Sequence, residues 1–288
     1  MIRTAIHAGV WSTAPQPDVV AWVLEAAAET GFDALALPLR DLPQLRTAEL
    51  ASRFRATGLT ALGTTGLPQG ADISSHDPVQ RRRGEEHLRQ VVAAAAEIGV
   101  EQINGVFYCS LGHAQKLPPA DAVRYSADVI HRIAETAREA RIRLCVEIVN
   151  RYETALLNTV EQALAYLALV DHPNVLLHLD TYHMAIEESQ PTEALRKALP
   201  KLGYFELDQS HRGRLDEGSL DLRAMSAPLV GAYSGFVGVE AFARSRLAPE
   251  HADGLAIWRD HFTDGTALAR HARGLIREIF AHDLLPQG

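Results

Sequence analysis

Eight short apolar runs recur along the 288-residue chain, separated by longer stretches of helical period. The runs span residues 4–10, 33–38, 59–65, 101–106, 143–148, 174–180, 203–207 and 235–240. The spacing predicts helices over 17–30, 79–99, 120–140, 159–170 and 255–280, among others. Gly31 and Gly99 stand where helix C-caps belong, and Asn158-Thr159-Val160-Glu161 offers an N-cap with an acid in the first turn. A chain that leaves each strand through a helix starts the next strand in the same direction, so the strands pair in parallel. Eight such units in one chain of this length predict a single (β/α)8 TIM barrel over residues 1–288. An open doubly wound sheet would ask for a glycine-rich turn after the first strand. The turn here, His7-Ala8-Gly9-Val10-Trp11-Ser12, has one glycine.

Composition narrows the function classes. Hydrophobic residues at 47% and charged residues at 22% give enough apolar material for a full core, which excludes a disordered chain. The net charge of −8 argues against a nucleic-acid partner and against an anionic membrane surface. No apolar run reaches the roughly 18–20 residues of a membrane span. The N-terminal residues read as the start of a strand and not as a secretory leader, so the expected location is cytoplasmic. With only Cys109 and Cys145, no disulfide framework is available, and both read as small core residues.

In a barrel of this kind, chemistry gathers at the C-terminal ends of the strands. Four of the apolar runs end on, or just before, an acid: Glu147, Asp180, Glu206 and Glu240. They sit on successive units at the same height and so point into one basin. Carboxylates crowded together repel unless they are protonated or share a cation. An oxygen-rich divalent metal site, favouring Mn²⁺ or Mg²⁺, is the economical reading. The loops beyond add Asn150, Arg151, Glu153, His183, His211, Arg212 and Arg214. A metal flanked by His, Arg and spare carboxylates suits proton transfer beside a carbonyl, through an enediolate. His7 and Trp11 could line the same pocket, Trp11 by stacking on a sugar ring, although a core role fits each equally well. The remaining histidines, including His113 and His282, read as surface or packing residues.

The stretches Val146-Glu147-Ile148-Val149-Asn150-Arg151-Tyr152-Glu153, His178-Leu179-Asp180-Thr181-Tyr182-His183-Met184 and Ser210-His211-Arg212-Gly213 carry a family resemblance. With Ala71-Asp72-Ile73-Ser74-Ser75 and Gly105-Val106-Phe107-Tyr108 upstream, the chain resembles the D-tagatose 3-epimerase and D-allulose (D-psicose) 3-epimerase family of xylose-isomerase-like barrels. The resemblance implies that Glu147 and Glu240 are both metal ligands and the acid/base pair at C3 of a ketose. It implies Asp180 as a pure ligand, and Glu153, His183 and Arg212 as holders of the sugar oxygens. It also implies a Mn²⁺, Mg²⁺ or Co²⁺ cofactor, a small sugar substrate and a homodimer or homotetramer.

The sequence departs from that family at informative places. The family's remaining metal ligand is a histidine six residues before the substrate-binding arginine, and Glu206 holds that place here. A carboxylate there hardens the site toward Mg²⁺ or Mn²⁺; His211 is a second choice as a substitute ligand. Asp208, Gln209, Ala36 and Ala185 also replace usual family residues. Arg244 and Arg246, in the loop after the last strand, could hold a phosphorylated or acidic sugar, or could be ordinary surface arginines. The expected activity is C3 epimerisation through a cis-enediolate. The alternatives are aldose–ketose isomerisation of a phosphorylated, branched or acidic sugar, or a catalytically altered sugar-binding relative.

Overall fold

The computed structural model describes residues 2–14, 16–112 and 117–281. His113 and His282 lie outside the described residues. Eight strands form a closed barrel in sequence order: β1 (Arg3–His7), β2 (Ala34–Pro38), β3 (Thr60–Thr64), β4 (Gln102–Gly105), β5 (Arg143–Ile148), β6 (Val175–Asp180), β7 (Leu202–Leu207) and β8 (Phe236–Val239). Every neighbouring pair is parallel, and β1 closes on β8. The helices are α1 (Pro17–Thr30), α2 (Thr47–Thr57), α3 (Pro78–Ile98), α4 (Ala122–Glu139), α5 (Val160–Val170), α6 (Thr181–Glu187), α7 (Pro191–Ala198), α8 (Leu222–Ser226), α9 (Pro249–Gly254) and α10 (Gly265–Ile279).

The strands are buried on both faces, which is why they read as near-continuous apolar runs. One face, with residues such as Ile6, Leu35, Val146 and Leu179, packs against the helices in the main core. The other fills the barrel interior with Ala5, Ala34, Ala36, Leu62, Cys145, Tyr204 and Phe236, with Leu176 against them. Each fully buried Leu or Phe in these layers contributes about 1.5–3 kcal/mol relative to an exposed one. Local signals set the helix ends. Gly31 and Gly99 terminate α1 and α3 in the left-handed region, at φ 75° and 85°. Thr159 begins α5 with a capping box shared with Gln162.

Two sequence expectations are corrected. The first strand stops at His7, and residues 8–10 form a 3-10 turn because the His7 side chain accepts from the Gly9 N–H. The predicted helix over 255–280 is broken: α9 ends at Gly254, Ala256 has a φ of 55°, and α10 starts only after Asp264, whose side chain accepts from the Ala267 N–H. Ile257 and Phe262 are buried from that intervening loop, so apolar residues there imitate helical continuity. No helix among the described residues is long and apolar enough to cross a membrane.

Candidate active site and metal centre

Strand register brings the acids together. Glu147 on β5 lies level with His178 on β6, and Asp180 on β6 lies level with Glu206 on β7. Glu240 follows β8 directly, its N–H bonded to the Leu207 carbonyl. Side chains two apart on a strand share a face, so His178 and Asp180 both point into the barrel. Three overlapping groups have ligand-capable atoms within 4.8 Å of one another: Glu147, Asp180 and His183; Glu147, His178 and Glu206; and Asp180, Glu206 and Glu240.

The electrostatics show what this clustering costs. Burial, then Asp208 and Glu206, raise the Asp180 carboxyl well above its usual range. Burial, then Glu240 and Glu147, do the same to Glu206. Glu147 is raised as well, by burial first. Burial also works to raise Glu240, but Arg212, His7, His183 and His178 outweigh it and hold that carboxyl below its usual value. The two outer glutamates are thus shifted in opposite directions. Asp180 Oδ2 and His178 Nδ1 are buried with no hydrogen-bond partner among the described residues. An unsatisfied buried carboxylate oxygen such as Asp180 Oδ2 amid other carboxylates fits a divalent cation, which would satisfy it and relieve the repulsion.

Arg212 organises the rim. Its Nε donates to Asp208 Oδ2 at 2.9 Å, its Nη2 donates to Glu240 Oε2, and its Nη1 lies 3.7 Å from Glu153 Oε1. The arginine is 5% exposed and has a φ of 56°, a strained backbone in a loop where the guanidinium must turn back over the basin. Asp208 is fully buried, its carboxyl pushed up to about 8 by burial despite Arg212. Gln209 fixes the same loop, donating to the Leu215 and Leu220 carbonyls while accepting from the Ser210 and Leu220 N–H groups. Gly218, at φ 132°, packs so closely on Gln209 that a Cβ there would meet its side chain at 2.5 Å.

The imidazoles are committed differently. His183 Nδ1 accepts from the Asn150 backbone N–H at 3.2 Å, which puts its proton on Nε2, 3.6 Å from Glu147 Oε1. Burial pushes its pKa down to about 4, so it is a neutral donor facing that carboxylate. His7 Nδ1 accepts from the Gly9 N–H and lies 3.9 Å from Glu240 Oε1, with Nε2 3.3 Å from Thr64 Oγ1. Asn150 Nδ2 donates to Glu153 Oε1 at 3.3 Å, which ties the loop after β5 to the same cluster.

Other expected residues lie elsewhere. Trp11 is 2% exposed, its Nε1 donating to Thr266 Oγ1, and it packs in the main core, which leaves no ring face for a sugar. His211 stacks edge-on against His261, 4.8 Å between centroids, and joins none of the three groups that could hold a metal. Arg244 donates to the Ile257 carbonyl and pairs with Asp253, while Arg246 donates to the Trp11 and Thr263 carbonyls. Both tie loops together. His178 escaped sequence reasoning because it sits inside the run Val175-Leu176-Leu177-His178-Leu179. Its spacing of two from Asp180 was the signal that could have found it.

Comparison with known proteins gives a consistent picture. The family model for the xylose isomerase-like TIM barrel matches residues 24–261. The chain is 35% identical over 277 residues to the L-ribulose 3-epimerase of Mesorhizobium japonicum, covering 96% of this chain and 93% of that protein. It is also 35% identical over 279 residues to the ketose 3-epimerase of Arthrobacter globiformis, covering 96% of each. Among solved structures, the D-allulose 3-epimerase from Methylomonas sp. in complex with D-allulose superposes with a TM-score of 0.94 at 32% identity, covering 97% of each chain.

Proposed function

The chain belongs to the xylose isomerase-like TIM barrel family, and on that premise we propose that it is a metal-dependent ketose 3-epimerase acting on free ketoses. L-Ribulose and D-psicose, which its relatives' names carry, are the substrates to try first. The observation that carries this reading is the convergence of Glu147 on β5 and Glu240 just past β8 on the buried carboxylates of Asp180 and Glu206. A divalent ion held by Glu147, Asp180, Glu206 and Glu240 (Mn²⁺, or else Mg²⁺ or Co²⁺) would polarise the carbonyl and adjacent hydroxyl oxygens of the sugar.

The chain's own residues then move the proton. One glutamate, as carboxylate, takes the proton from C3, and the electrons of that C–H bond form the C2–C3 double bond of a cis-enediolate. The other, as carboxylic acid, delivers a proton to the opposite face of C3, and the reverse reaction exchanges their roles. Glu153 and His183 hold hydroxyl oxygens. Arg212 leaves its ion pairs with Glu240 and Glu153 to hold the sugar's oxygens, which couples substrate entry to a change in the Glu240 environment. His7 stands at the edge of the same basin. A phosphorylated or acidic sugar finds no support in Arg244 and Arg246, whose guanidinium groups are occupied by loop carbonyls and Asp253.

The test is metal-dependent turnover. Dialysis against a chelator should abolish interconversion of L-ribulose and its C3 epimer, and added Mn²⁺ should restore it. Stoichiometric Mn²⁺ with no epimerisation of any free ketose would overturn the reading. A cytoplasmic homodimer or homotetramer belongs to the same proposal by fold-level analogy, and sedimentation of the purified protein tests the assembly.

A further inference from the structure

Arg212 reaches the basin from a loop, yet little of it is left to move. Its backbone N–H donates to the Gln209 carbonyl at 2.8 Å, and its own carbonyl accepts from the Phe242 N–H at 2.8 Å. The second bond ties the loop after β7 to the loop after β8. The guanidinium carbon lies 5.0 Å from the centre of the Tyr182 ring and 4.9 Å from that of Phe242, both within the range of a cation–π contact.

Asp208 supplies the hold on the side chain's own nitrogen. Its backbone N–H donates to Thr181 Oγ1 at 2.8 Å, and its carbonyl accepts from the same hydroxyl at 2.7 Å. Its Oδ1 accepts from the Gln209 N–H at 2.8 Å, and its Oδ2 accepts from Arg212 Nε at 2.9 Å. Thr181 directly follows Asp180 and, like Asp208, is fully buried. A short path with every polar group paired therefore runs from a carboxylate of the metal centre, through one hydroxyl and one carboxyl group, to the guanidinium.

The division of labour within that guanidinium matters most. Its Nε–H is spent on Asp208, which leaves the N–H groups of Nη1 and Nη2 for Glu153 and Glu240. With the Nε end fixed, those outer nitrogens can exchange glutamate oxygens for sugar oxygens while the group stays in place. A buried ion pair adds little net stability over an apolar pair of the same volume. Stability is therefore a weak reason for a carboxyl group at this position, and a fixed direction for Arg212 is a stronger one.

We propose that Asp208 is a positioning residue for the epimerisation: it anchors Arg212 at Nε, at a set place relative to the metal centre, so that only the Nη nitrogens change partners when the ketose enters. The inference rests on the function proposed above and deepens it, by naming the group that aims the substrate-holding cation.

A double-mutant cycle with Arg212→Met tests this, because methionine has no N–H for Asp208 to hold. In the Mn²⁺-loaded enzyme, Asp208→Asn offers one acceptor oxygen to two donors and should lower kcat/KM about 10–100-fold, mainly through KM. In the Arg212→Met background the same substitution should cost no more than about twofold. Parent-like kinetics for Asp208→Asn, or an equal loss in both backgrounds, overturns the proposal. A second readout needs no turnover. In ¹⁵N-arginine spectra of the Mg²⁺-loaded protein, the Nε–H resonance missing from Arg212→Met should exchange slowly with solvent, and at least about tenfold faster in Asp208→Asn. Rapid exchange in the wild type overturns the proposal even where Asp208→Asn does not fold. A wild type that epimerises no free ketose overturns the function proposed above, while the Nε–H exchange still decides whether Asp208 holds Arg212.

Discussion

Strands β1–β4 face the barrel interior with Ala5, Ala34, Ala36 and Leu62 and the buried amides of Gln102 and Asn104, while β5–β8 add Cys145, Leu176, Tyr204 and Phe236 and also bring in Glu147, His178, Asp180, Glu206 and, just past β8, Glu240. Backbone and burial are alike in the two halves: short parallel strands, covered on both faces. The strands of the first half end on no acid; His7, at the end of β1, has its pKa lowered, by burial first, and Arg3 at the opposite end of the same strand is paired with Glu101. The second half concentrates four carboxylates whose proximity opposes folding unless a cation relieves it. The first wall supplies packing, and the second spends stability on chemistry.

Substitutions in the two walls should part company, most sharply at the glutamates. Glu147→Gln and Glu240→Gln should each lower kcat by about 10³-fold with thermal unfolding close to that of the parent; near-wild-type turnover in either would dissolve the contrast. Next comes Arg212→Lys, which keeps the charge but loses the fork that reaches Asp208, Glu240 and Glu153. Its kcat/KM should fall about 10–100-fold, as for the loss of a charged hydrogen bond of roughly 1.5–3 kcal/mol. The opposite wall should behave in the opposite way. Leu62→Ala, at a fully buried interior position, should cost about 2–4 kcal/mol in denaturant unfolding and leave Mn²⁺ affinity unchanged.

The smallest effect concerns the thiols. Burial pushes Cys109 and Cys145 up to about 12. At pH 8 the folded protein should show no reaction with an aromatic disulfide reagent, and both thiols should react in guanidinium. Rapid labelling of the native protein would mean that the interior opens far more than its packing implies.

The two walls also differed in how legible they were from sequence. Each carboxylate ends a run that is apolar up to that point, save for His178 before Asp180, so charge at a strand's C-terminal end stands out against its neighbours. The four acids and the barrel could be read for that reason. His178 could not be, because an imidazole between leucines in a strand buried on both faces resembles any satisfied interior residue. Its meaning depends on a partner on another strand and on a bulge that no local pattern records. Arg244 and Arg246 misled in the other direction: their charge is visible in sequence, but the loop carbonyls that consume it are not. The broken helix after Gly254 has a similar cause, since burial of Ile257 and Phe262 comes from a loop that reuses apolar residues.

The claim that Glu147 and Glu240 exchange a proton at C3 is tested most directly by proton magnetic resonance of a ketose incubated with the Mn²⁺-loaded protein in D2O. Deuterium should accumulate at C3, in substrate and epimer alike, and nowhere else, and should fail to do so with Glu147→Gln or Glu240→Gln. Deuterium at C1, or epimerisation with the C3 proton retained, would contradict the account.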